Sequence, residues 1–160
     1  MDNTSTIKFR FATDTDTQLI LDFIHDLARY EKMDHLVVAD YDTLHEQLFI
    51  KHNAEVLFVM KDDIEVGFAL FFHNFSTFLG KAGLYLEDLY VKPEYRGQGI
   101  GKRMFRQLGR ICQERSYGRF EWWCLNWNEP SIQFYKSMGA EAMSDWTVFR
   151  IDGETLKGLK

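Results

Sequence analysis

The tightest constraint in the chain is the run Arg96-Gly97-Gln98-Gly99-Ile100-Gly101, which sits between a β-rich segment and an amphipathic one. Glycines at alternate positions let backbone approach a ligand without Cβ atoms in the way. A helix that begins there adds amide N–H groups with no acceptor inside the helix. The positive helix end then favours an anion such as a diphosphate, and Arg96 can add a charge-assisted bond to the same oxygens. The spacing by itself also fits a glycine-rich loop kept only for turning. Two nucleotide motifs fail on inspection. Gly101-Lys102 is followed by Arg103 where a P-loop needs Ser or Thr, and the third glycine arrives one residue early for a dinucleotide fingerprint.

The turn lies in a chain of 160 residues, a length that fits one folded domain. Ile7, Phe9 and Phe11 alternate with polar neighbours and predict a strand, and Ile20, Phe23, Ile24 and Leu27 predict a helix from Asp14-Thr15-Asp16 to about Glu31. Thr43-Leu44-His45-Glu46 has the form of a capping box and predicts a second helix starting there. Val56 to Lys61 and Ile64 to Phe72 read as a hairpin turned by Asp62-Asp63, and Leu84 to Val91 reads as a further strand closed by Lys92-Pro93. Ile100, Met104, Leu108 and Ile111 mark a helix ending near 116–118. Phe120 to Leu125 is a strand, Asn128 caps a helix through Met138, and Trp146 to Ile151 is a last strand. This order predicts a single α/β or α+β domain.

Lys and Arg number 19 against 24 Asp and Glu, a net charge of −5 that makes a nucleic-acid backbone an unexpected partner and leaves room for a cationic one. The absence of a long apolar run and the polar residues 1–6 predict a soluble, cytoplasmic protein with no membrane partner. Cys112 and Cys124 have no metal-type spacing, and none of the five histidines pairs at ligand spacing, so no metal is expected.

The segment Leu84 to Gly101 resembles the core motif of the GCN5-related N-acetyltransferases. Asn128-Glu129-Pro130-Ser131, Phe134-Tyr135-Lys136 and Gly139-Ala140 are similar to that family's following helix. With Ala28-Arg29-Tyr30-Glu31, the likeness is to the diamine (spermidine/spermine) branch and spans roughly Ile7 to Ile151. The resemblance implies one domain over 1–160, with a mixed, mostly antiparallel twisted sheet of about six to seven strands flanked by helices, and a cofactor cleft between two splayed central strands. Acetyl-CoA would bond backbone at Leu89, Tyr90 and Val91 and set its diphosphate on Gly97 to Lys102, including Gln98, Gly99, Ile100 and Gly101, with Asn128 and Ser131 on the far side. A homodimer is expected by analogy.

Acetylating an amine requires a neutral nitrogen and a proton donor for the departing thiolate. The resemblance implies Tyr135 as that donor and Glu87 as the residue that binds the amine and helps deprotonate it, directly or through water. Adjacent strand residues face opposite ways, so Glu87 and Asp88 can share a pocket only if a bulge re-aims one of them. Tyr30, Glu31 and Trp146 match substrate-contacting positions of the branch, and Asp88 is a further substrate-binding candidate. An acid that the branch carries before Gly80-Lys81 is replaced here by Ser76-Thr77-Phe78-Leu79, and Ser144-Asp145 stands for a longer acidic stretch. The branch resemblance implies a polyamine or diamine acceptor, and these departures remove one polyamine anchor and point to a smaller primary amine such as thialysine. The open alternatives are a protein amine, or a non-catalytic module that binds acyl-CoA.

Overall fold

The structure, a computed structural model, describes residues 6–160, and the chain divides after Trp123 into two units that are described in turn. In the first, β1 (Ile7–Phe11), β2 (Glu55–Lys61), β3 (Ile64–Ser76), β4 (Lys81–Val91) and β5 (Phe120–Trp122) form one sheet in that order. The first three pairings are antiparallel and β4–β5 is parallel. The β2–β3 hairpin turns at Asp62 and Asp63, which both hold positive φ (51° and 65°), as a two-residue type I′ turn requires.

Helices cover both faces. The first, α1 (Thr17–Tyr30), follows a single 3-10 turn, and its entry is fixed to β1 by Arg10, which donates two bonds to Asp16 at 2.8 and 2.9 Å. That contact holds the Asp16 carboxyl down to about 2. Ile20 and Phe23 of α1 pack on Val56, Phe58, Phe68 and Tyr90. On the opposite face α3 (Ile100–Glu114) buries Ile100, Met104, Leu108 and Ile111 against Leu57, Val59, Ala69, Phe71, Leu84 and Leu86. The helix expected from Thr43 begins earlier: α2 (Tyr41–His45) is capped by Asp40, whose carboxylate accepts from the Thr43 amide at 2.8 Å, and one π turn (Glu46–Ile50) continues it. Asp is at least as good an N-cap as Thr, and its carboxylate also favours the helix end electrostatically.

One irregularity in β4 decides where side chains go. Leu70 opposes Asp88 and Phe71 opposes Leu86, so Glu87 is an extra residue with no partner across the ladder. Before this bulge the even-numbered Leu84 and Leu86 face α3; after it the odd-numbered Leu89 and Val91 do, and Tyr90 turns to the α1 face.

The second unit, Cys124–Lys160, contains α4 (Glu129–Ser137), capped by Asn128, and the short α5 (Gly153–Lys157). Two strand expectations are corrected. The strand from Phe120 stops at Trp122 rather than Leu125, and Trp146 to Ile151 joins no sheet. β-favouring residues form a strand only where a neighbouring strand completes the ladder, and none pairs with 146–151 among the described residues; Trp146 and Phe149 are 74% and 90% exposed. The fold is therefore a mixed α+β one, a mostly antiparallel sheet flanked by helices as expected, with five strands instead of six to seven.

Candidate active site

β4 and β5 pair only from Leu84–Phe120 to Leu86–Trp122, so β5 offers no ladder partner to Glu87, Asp88, Leu89, Tyr90 and Val91. That stretch of backbone edge leads through a 3-10 turn (Pro93–Tyr95) into the glycine run. Gly97 and Gly99 hold φ of 73° and 75°, and Gly99 is the N-cap of α3. A Cβ placed at position 97, 99 or 101 would meet no atom within 4 Å, so the turn presents bare backbone to solvent. The Ile100, Gly101 and Lys102 amides fall in the first turn of α3, where no helical acceptor exists. Positive-φ glycines, an open face and a helix start together fit a diphosphate.

Arg96 does not reach toward that turn with its whole guanidinium. Its Nε donates to the Val91 carbonyl at 2.8 Å, and its guanidinium carbon lies 4.7 Å from the Tyr30 ring centre and 5.2 Å from that of Tyr90. Gln98 is also held, accepting from Lys61 Nζ at 2.5 Å and donating to the Glu94 carbonyl at 3.3 Å.

The bulge brings Asp88 to a pocket of about 210 Å3 lined by Ile24, Leu27, Ala28 and Glu31 of the α1 region, by Met33, Leu36 and Val37 of the next segment, and by Asp88 itself. The wall at 33–37 is tied to α1 by His25 Nδ1 and Asp34 Oδ1, 2.8 Å apart, and by the Met33 amide, which donates to the Ala28 carbonyl. Burial pushes the half-buried Asp88 carboxyl up to about 7, with the nearby charges of Glu87 and Glu31 adding to the shift. Burial raises Glu31 as well. Glu87, the bulged residue, is exposed. The pocket thus concentrates negative charge in an apolar wall, an arrangement that a cation relieves.

Of the residues expected on the substrate side, Glu31 and Asp88 line one pocket. Tyr30 lies at the end of α1, against Arg96. The Met33–Val37 wall was missed: it has no periodicity, and Ile24 and Leu27 read simply as core. In the second unit Asn128 is buried, its Oδ1 accepting from the Ser131 amide at 3.4 Å, and Tyr135 is half-buried on α4 with its ring 5.4 Å from that of Phe134. Trp146 is exposed. Among the described residues no group of three His, Cys, Asp or Glu side chains is placed to hold a metal, and no helix is long and apolar enough to cross a membrane.

A strand that loses its neighbour and runs into a glycine turn at a helix start is the plan of a coenzyme-A-dependent acyltransferase. The comparisons agree: residues 20–140 match the acetyltransferase (GNAT) family, and the chain belongs to that family. It is 32% identical over 167 residues to a thialysine N-epsilon-acetyltransferase of Sus scrofa, covering 97% of this chain and 98% of that protein. It is 34% identical over 160 residues to the Homo sapiens spermidine/spermine N(1)-acetyltransferase-like protein 1, covering 93% of this chain and 23% of that one. Among solved structures, an integron cassette protein from the mobile metagenome of V. cholerae superposes with a TM-score of 0.78 at 25% identity, covering 94% and 95% of the two chains. The protein is an N-acetyltransferase, and acetyl-CoA is its co-substrate.

Proposed function

We propose that this enzyme acetylates a primary amine of a small molecule by direct transfer. The carrying observation is the pocket in which Asp88 and Glu31 meet an apolar wall, because a cationic amine is the ligand that such a pocket stabilises. Bound acetyl-CoA supplies an activated acetyl carbonyl and a sulfur that leaves as thiolate. Asp88 and Glu31 hold the ammonium, and water-exposed Glu87 takes its proton through solvent. The Tyr135 hydroxyl then gives a proton to the departing sulfur. Leu89 to Val91 and Gly97 to Lys102 bind the cofactor with backbone, and the family resemblance assigns Asn128 and Ser131 to the cofactor as well and Trp146 to the acceptor. Two copies of the chain pair through exposed apolar side chains such as Phe78.

Among the described residues no lysine or arginine lines the pocket. An acceptor with its own carboxylate, such as thialysine, finds no counter-charge there, whereas spermidine presents only cations and methylenes, and the second fits better. The test is CoA release from acetyl-CoA with spermidine, thialysine, lysine and an aminoglycoside. Turnover is expected with spermidine above thialysine, and release no faster than hydrolysis on every amine would refute the assignment.

A further inference from the structure

We infer that Arg96 is a positioning residue whose side chain clasps the amine side of the enzyme to its cofactor turn, and not a side-chain ligand of the diphosphate. The inference rests on the acyltransferase reading above. Three contacts carry it. The Nε–Val91 carbonyl bond anchors the guanidinium to the end of β4, the Tyr90 ring is on the same strand two residues past Asp88, and the Tyr30 ring ends α1 directly before Glu31. Arg96 immediately precedes Gly97, so its backbone sets where the turn begins. A planar guanidinium can donate along its edge and meet aromatic rings with its delocalised cation at the same time, which a lysine ammonium does only poorly. With its cation held against two rings and Nε committed to a carbonyl, the side chain orders the turn from behind, while the amides of residues 97–102 remain to meet the ligand.

This arrangement makes Tyr30, a residue on the amine side, matter for cofactor binding. Calorimetric titration of the full chain with CoA reads the effect without turnover. Tyr30→Leu is expected to weaken CoA binding roughly 3- to 10-fold and Arg96→Gln roughly 5- to 30-fold, the range of one and two cation–π contacts. Tyr30→Phe keeps the ring and is expected to keep wild-type affinity. In the Arg96→Gln background, Tyr30→Leu should add nothing, because the two act through one contact. If Tyr30→Leu binds CoA as tightly as wild type, or if the two losses simply multiply, the clasp is wrong and Arg96 acts on its own. Failure of the wild-type chain to bind CoA would instead overturn the cofactor assignment and the clasp with it.

Discussion

On the proposed reading, β4 at its bulge and the glycine turn that continues it would bind by different physics. At the bulge, recognition is built from side chains: Asp88 and Glu31 are raised in proton affinity by burial, and the pocket gains its character from charge held in an apolar wall. At the glycine turn, recognition is built from backbone, and the side chains nearby face other protein groups: Arg96 faces Tyr30, Tyr90 and the Val91 carbonyl, and Gln98 faces Lys61 and Glu94. A backbone site depends on conformation and survives most changes of side-chain chemistry. A side-chain site depends on one strand register and fails when a single carboxylate is lost.

That contrast can be broken at either end. The largest effect is expected from the two residues proposed for proton transfer. Glu87→Gln should lower kcat about 100-fold with little change in CoA affinity, and Tyr135→Phe should do likewise, the usual range for a lost general base or acid. Steady-state rates with unchanged kcat in both variants would remove these residues from their roles. A smaller effect is expected at the turn. Gly99→Val forces a β-branched residue to φ of 75°, a strain that should weaken CoA binding about 10- to 100-fold by calorimetry while the amine pocket keeps its charge. Unaltered CoA affinity in Gly99→Val would show that the turn is not the anion site.

The difference also explains what was legible in the sequence. Glycine spacing, the α3 stripe and the hairpin at Asp62-Asp63 are local signals, and the structure places them as read. The bulge is not local. Nothing in Leu86-Glu87-Asp88 itself says that the ladder slips there, and only pairing with β3 shows that Glu87 is the extra residue. The same holds for Arg96, whose partners Tyr30 and Tyr90 lie on two other elements. Trp146 to Ile151 failed in the opposite direction: its composition favours a strand, but a strand also needs a neighbour.

If the bulge sets a carboxylate of raised proton affinity to receive a cationic amine, the pH dependence of the amine KM follows the titration of that carboxylate. An aliphatic amine stays charged up to about pH 9, so changes between pH 5.5 and 8.5 report the pocket. Below about 7 Asp88 holds a proton and is neutral; above it the carboxylate is charged beside Glu31 and Glu87. The KM for spermidine should therefore fall as pH rises through about 7 and level off. In Asp88→Asn it should be higher, by about 10-fold at pH 8, and show no step near 7. The same step in wild type and Asp88→Asn would contradict the account.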